Sequence, residues 1–170
     1  EVNSLNGGPC VETNLSTNST AFYMLGGYAN SVYGGAATTT SYGNRIVSIT
    51  GGTVGYNVFG GSNLEGSVPN SYINVINGGA INIYGGNNQG GNTENSHIDI
   101  YGGYIENIYG GGLKAETGTT NVNLYYGRVD NLFGGGSEAG ATTTNVGLGN
   151  GTVNKVFGGS NISGDVNDSY

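Results

Sequence analysis

The chain has 170 residues, a net charge of −7, 36 glycines and only four Lys and Arg. The few, scattered basic residues argue against a nucleic-acid partner, and the absence of an 18-residue apolar run predicts no membrane span. The single cysteine, Cys10, excludes an intrachain disulfide. The apolar residues recur at regular positions, which indicates a repeat rather than disorder.

An aromatic residue followed by two glycines recurs at intervals of 24–26 residues. These aromatic residues are Tyr33, Phe59, Tyr84, Tyr109, Phe133 and Phe157. A period of this length is typical of one supersecondary unit stacked on copies of itself. Residues 1–27 contain no complete unit, so we expect an N-terminal cap or a partial first coil there and the repeats over 28–170.

Each unit opens with an alternating pattern. Ser96, Ile98 and Ile100 share one parity, and His97 and Asp99 share the other, which predicts a strand with Ser and both Ile inward. The pattern recurs over 71–75, 120–124 and 144–148.

A glycine follows each of these strands, and an aliphatic residue stands two positions after it. We align these as Gly52, Gly79, Gly103, Gly127 and Gly151, followed by Val54, Ile81, Ile105, Val129 and Val153. A recurring glycine predicts a corner that needs positive φ or close backbone approach. The interval from the aliphatic to the aromatic residue varies from three to five residues, which predicts a second corner there.

These features predict an all-β fold: a parallel β-helix, or β-solenoid, of about six coils with 24–26 residues and three or four short strands each. The general handedness of parallel crossovers favours a right-handed solenoid. A β-propeller blade would need about 40 residues. Ser169 and Tyr170 match Ser71 and Tyr72 and would begin a further coil. Because a bare coil end exposes strand edges, we expect further repeats or end-to-end stacking on another protein or copy.

Two stretches resemble a known kind of repeat. Residues 50–63 and 151–161 each join a Gly-Thr-Val segment to Val-Phe-Gly-Gly-Ser-Asn. They are similar to the glycine-rich repeats of large bacterial cell-surface proteins, of the adhesin-like or autotransporter-like kind, and the resemblance covers about residues 28–170. It implies a β-solenoid at an extracellular bacterial or phage surface and leaves the ligand open.

The recurring aromatic row has two interpretations: an exposed sugar-binding ladder or a buried stack. We favour burial, because an aliphatic residue always precedes the aromatic one and offset stacking stabilises such rods.

A sharper binding candidate lies in two adjacent units. Tyr101 and Tyr125 share a register, Tyr104 and Arg128 share another, and Tyr126 is adjacent. Exposed Tyr beside Arg is typical of carbohydrate stacking or a protein contact. The alternative is ordinary cross-strand and cation–π packing over a glycine-rich corner.

Glu106 and Asp130 also share a register and should lie about 5 Å apart. Such carboxylates could form a glycosidase pair or a cation site, but at a flexible corner we expect them to be solvated. We therefore predict no catalytic residue, cofactor or metal. The predicted function is a non-catalytic stalk and attachment surface that binds a glycan or a host protein. The alternatives are a polysaccharide lyase or glycoside hydrolase and, from the Thr-rich stretches, an ice-binding protein.

Overall fold

The computed structural model describes residues 2–6 and 19–170, which form two seven-stranded parallel sheets. Sheet one contains β1 (Val2–Asn6), β3 (Tyr28–Tyr33), β5 (Thr53–Phe59), β7 (Gly79–Tyr84), β9 (Tyr104–Tyr109), β11 (Arg128–Phe133) and β13 (Thr152–Phe157). Sheet two contains β2 (Thr20–Met24), β4 (Arg45–Ile49), β6 (Val68–Val75), β8 (Thr93–Ile100), β10 (Thr117–Leu124), β12 (Ala141–Leu148) and β14 (Val166–Ser169). Cys10 lies outside the described residues.

The chain winds as a β-solenoid of about six turns, which confirms the predicted fold class. Each coil has one strand in each sheet, joined by a tight turn such as 101–103, and a longer loop such as 110–116 leads to the next coil. The predicted three or four strands per coil are therefore wrong, because the expected second corner is absent. The end strands β1 and β2 supply the described part of 1–27.

The main core lies between the two sheets. Ile98 and Ile100 enter it from sheet two, Ile105 and Ile108 enter it from sheet one, and all four are 0% exposed. Their predicted inward placement is confirmed. Burial of each such side chain contributes about 1.5–3 kcal/mol, so the stacked aliphatic rows supply the main stabilisation.

The inward Ser and Thr at the loop edge link the two sheets. Thr120 Oγ1 donates a hydrogen bond to the carbonyl oxygen of Gly134 at 2.6 Å, and Thr144 repeats this contact with Gly158 at 2.7 Å. Thr120 and Thr144 are both buried, so their hydroxyl groups would otherwise lack a hydrogen-bond partner in the interior. The first glycine of each pair is required for the same close approach: a Cβ on Gly134 would collide with the carbonyl oxygen of Gly158.

One glycine assignment is wrong by a residue. Gly79 is the first residue of β7 and pairs with Thr53 and Tyr104. The corner position in that coil belongs to Gly78, whose φ of +99° matches the positive φ of the other corner glycines, Gly27, Gly52, Gly103 and Gly127. Gly151 does not share this conformation.

The same shift changes the core. Ala80, not Ile81, pairs with Val54 and Ile105 and points inward, while Ile81 is 39% exposed. With this register, the aromatic residue stands four positions after the inward aliphatic residue in each coil except that of β5. In β5 the interval is five positions, because a β-bulge places Gly55 and Tyr56 opposite the single residue Ile81.

The predicted second corner is a continuous strand in the structure. In β9 the inward residues Ile105 and Ile108 are three positions apart, so the alternation slips once at Glu106 and Asn107 without breaking the strand. The residues at this slip form an amide ladder on the outer face: Asn82 Nδ2 donates to Asn57 Oδ1 at 3.0 Å, and Asn107 and Asn131 continue it.

The aromatic row forms a second, smaller core, as predicted. Tyr33, Phe59, Tyr84, Tyr109 and Phe133 are buried, and successive rings stack with centroids 4.7–5.1 Å apart. The loops after the glycine pairs cover this row, with Leu113 packed against it. Burial raises the pKa values of the Tyr33, Tyr84 and Tyr109 hydroxyls. A sugar-binding ladder is therefore excluded for these rings, apart from Phe157, which is 44% exposed in the last coil.

Candidate functional site

The predicted tyrosine cluster, defined as Tyr101, Tyr104, Tyr125, Tyr126 and Arg128, points outward. Its tyrosines are 41–55% exposed, and its residues occupy two adjacent turns and the strand starts that follow them. The turns are tight because glycines with positive φ, Gly103 and Gly127, allow the backbone to reverse within three residues. The structure thus brings together the residues that the sequence placed on adjacent coils.

The turn half of the cluster is an exposed ring pair. Tyr101 and Tyr125 stack with centroids 4.9 Å apart and planes 12° apart. Their backbones follow each other, because Tyr125 N donates to the carbonyl of Ile100 at 2.9 Å as the solenoid continues across the turn. Tyr126 is the next residue of the same turn and is 55% exposed.

The strand half of the cluster is a hydrogen-bonded network. Tyr104 and Arg128 are paired neighbours at the starts of β9 and β11, with the Arg128 guanidinium 5.5 Å from the Tyr104 ring centroid. Tyr104 Oη donates to Asp130 Oδ2 at 2.5 Å, and Arg128 Nη2 contacts Asp130 Oδ1 at 3.2 Å. Asn154 Nδ2 donates to the same oxygen at 2.9 Å.

These contacts set the protonation of the network. The hydrogen bond from Tyr104, followed by the interaction with Arg128, lowers the pKa of the Asp130 carboxyl. The same hydrogen bond, together with the negative charge of Asp130, raises the pKa of the Tyr104 hydroxyl. At neutral pH the pair is therefore a carboxylate and a neutral phenol, which is the state that holds the ring in place.

The flexible corner predicted for Glu106 and Asp130 is wrong, although both side chains face outward and Glu106 is exposed as expected. They lie within continuous strands rather than at a flexible corner, and Asp130 has three side-chain partners instead of water alone. The lowered pKa favours the carboxylate form of Asp130, which accepts the hydrogen bonds from these three side chains. Among the described residues, no three His, Cys, Asp or Glu side chains are placed to share a metal ion.

A cleft beside the cluster was missed from the sequence. It has a volume of about 360 Å³ and lies on the outer face of sheet one, between Thr53 and Tyr104. Gly78, Gly79, Ile81 and Glu106 also line it. The signal that could have located it is the glycine pair at 78–79, which the one-residue misalignment had placed at the corner.

Two other surfaces of the solenoid lie away from the tyrosine cluster. The outer face of sheet two carries amide ladders, such as Asn95 to Asn70 at 3.1 Å, and a stacked Tyr72–His97 pair with centroids 4.9 Å apart. A polar groove of about 410 Å³ runs beside the aromatic row near Phe157 and Lys155. Both of those residues belong to β13, the last strand of sheet one, so this groove is where the aromatic stack becomes uncovered.

Comparison with protein-family models, curated proteins and solved structures finds no significant match to this chain. The described residues form no helix that is long and apolar enough to span a membrane.

Proposed function

We propose that the protein is a non-catalytic, extracellular β-solenoid that serves as a stalk and attachment surface, and that it binds a glycan or a host protein through the tyrosine cluster. The observation that carries the proposal is the coincidence of four exposed Tyr and an Arg on two neighbouring coils. The resemblance to repeats of bacterial adhesin-like proteins supports the same function and an origin at a bacterial or phage surface.

The energetics of recognition favour this surface over the rest of the rod. Tyr and Arg contribute most of the binding energy at interfaces, and rigid rings lose little conformational entropy when they bind. Tyr101 and Tyr125 are held by stacking, and Tyr104 is held by Asp130 and Arg128. The amide-rich outer face of sheet two offers far less stacking area.

The architecture supports the role of a stalk. Every coil repeats the same ladders, so additional coils lengthen the rod without changing its cross-section. The two continuous cores and the parallel hydrogen-bond ladders join neighbouring coils into one stack, as a stalk requires.

A glycan array and a panel of host-cell extracellular matrix proteins test the proposal. Replacement of Tyr104 and Tyr125 by Ala should abolish binding found with the wild type, while circular dichroism and the melting temperature stay nearly unchanged. The matched control replaces Tyr42 and Tyr170, which are 55% and 76% exposed and lie outside the cluster. Binding that persists in the first variant, or that is lost equally in the control, would contradict the proposal.

A further inference from the structure

The cleft beside the tyrosine cluster arises from one missing side chain. The first outward position of the sheet-one strands forms a row along the solenoid, and five of its six described members carry a side chain: Tyr28, Thr53, Tyr104, Arg128 and Thr152. The sixth is Gly79, between Thr53 and Tyr104. The outer surface therefore has a gap one strand wide at this point.

The ring of Tyr104 forms one wall of this gap. Arg128 covers the ring from the β11 side, with its guanidinium carbon 5.5 Å from the centroid. On the opposite side, Tyr104 pairs with Gly79, which carries no side chain, and both residues line the cleft. Because Asp130 holds the hydroxyl at 2.5 Å, the wall is fixed before any ligand arrives.

The width of the gap matches a single ring. Thr53 and Tyr104 are two strand spacings apart, about 9.6 Å, so a ring placed over Gly79 would lie about 4.8 Å from Tyr104. The rings of this protein stack at the same separation, 4.7–5.1 Å. A volume of about 360 Å³ is at the lower end of the range for small-ligand sites.

The lining combines an apolar surface with one charged group. Ile81 and the backbone of Gly78 and Gly79 form the floor, and the exposed carboxylate of Glu106 stands beside the Tyr104 ring. A pyranose ring has an apolar face of C–H groups and a rim of hydroxyls, so it fits both features: the face packs on the aromatic ring and hydroxyls donate to the carboxylate. An anionic sugar would be repelled by Glu106 and by the net charge of −7.

We propose that the cleft between Thr53 and Tyr104 is a subsite for one neutral hexopyranose residue of a glycan, which stacks on the open face of Tyr104 and hydrogen-bonds to Glu106. This inference rests on the proposed function and narrows it, because it names the ligand class and moves the binding position from the stacked Tyr pair to the gap at Gly79.

The test fills the gap while it keeps the whole tyrosine cluster. In Gly79→Thr, the new Cβ would lie 3.0 Å from the carbonyl oxygen of Tyr104, so the backbone must shift by a few tenths of an ångström, and Gly79 does not have positive φ. Thr53→Tyr fills the same gap from the other wall. The matched control is Thr152→Tyr, which adds a ring to the same row on the far side of Arg128.

The probes are the methyl glycopyranosides of glucose, galactose and mannose at millimolar concentration. Binding is measured as changes in the amide NMR chemical shifts of the full chain. The wild type and Thr152→Tyr should show shifts concentrated at Gly78, Gly79 and Ile81. Both gap-filling variants should lose these shifts, and Tyr104→Ala should weaken binding about tenfold. Glucuronic acid should bind about fivefold more weakly than glucose, and Glu106→Gln should remove that difference.

Several outcomes would overturn the inference. These are the absence of shifts with every neutral pyranoside, shifts that persist in Gly79→Thr and Thr53→Tyr, or stronger binding of N-acetyltyrosinamide, which would indicate an aromatic peptide ligand. The glycan array distinguishes failure of the subsite at Gly79 from failure of the proposed attachment function. If array binding needs Tyr104 and Tyr125 but survives in both gap-filling variants, the attachment surface stands and the subsite at Gly79 is wrong.

Discussion

Two isoleucines in adjacent strands provide the sharpest test of the register. Ile105 in β9 is 0% exposed in the main core, whereas Ile81 in β7 is 39% exposed on the outer face. The comparison of the repeats placed both residues at the same position, and the structure separates them. Replacement of each by Ala removes the same three carbon atoms, so the difference in effect measures burial alone.

The expected magnitudes follow from that burial. Ile105→Ala should lower the free energy of unfolding by about 2–5 kcal/mol, since both the transfer energy and the cavity contribute. Ile81→Ala should cost about 1 kcal/mol or less, because the side chain is already partly solvated and leaves no enclosed cavity. Ala80 fills the inward position in that coil.

Urea unfolding of the two variants, followed by circular dichroism, measures the difference. The slope of free energy against urea should stay unchanged, so that the midpoints report stability. If Ile81→Ala shifts the midpoint as far as Ile105→Ala does, the pairing of Gly79 with Tyr104 is wrong, and the cleft proposed beside Tyr104 is wrong with it.

Two further predictions concern polar contacts. Thr120→Val keeps the side-chain shape but removes the 2.6 Å hydrogen bond to the Gly134 carbonyl, so thermal unfolding should show a loss of about 1–3 kcal/mol. The second concerns pH: in NMR titrations the Asp130 carboxyl should protonate below its ordinary value of 3.8, and the Tyr104 hydroxyl should ionise above 10.0. Tyr104→Phe should raise the pKa of Asp130, because the carboxylate then loses its strongest hydrogen bond.

Each of these has a direct control. Thr119→Val, at the neighbouring and less buried position, should lower the free energy of unfolding by less than about 0.5 kcal/mol. An equal loss in both variants would contradict the role of the hydrogen bond between Thr120 and Gly134.

For the titration, the sign follows from the carboxylate form. The stability that Asp130 contributes is present above its unfolded pKa and disappears as pH falls through the lower folded pKa. An unchanged Asp130 pKa in Tyr104→Phe would show that the hydrogen bond is absent in solution.

The tyrosine cluster shows how far a repeat can be used to locate a site. Because coils stack in register, equal positions in successive units become neighbours, and the sequence could pair Tyr101 with Tyr125 and Tyr104 with Arg128. Asp130 was placed beside Glu106 for the same reason. Its actual partners, Tyr104, Arg128 and Asn154, depend on side-chain directions that a repeat interval does not contain.

The periodicity of the chain determined the solenoid, the inward Ser or Thr and Ile rows and the buried aromatic stack, because identical units must pack identically on their neighbours. The tertiary structure decided the number of strands per coil and the register of the coil at Gly78 and Gly79. A coil can accommodate an extra residue either in a turn or in a β-bulge, and the spacing between repeated residues is the same in both cases. That choice put Ala80 inside and Ile81 outside, and it opened the cleft next to Tyr104.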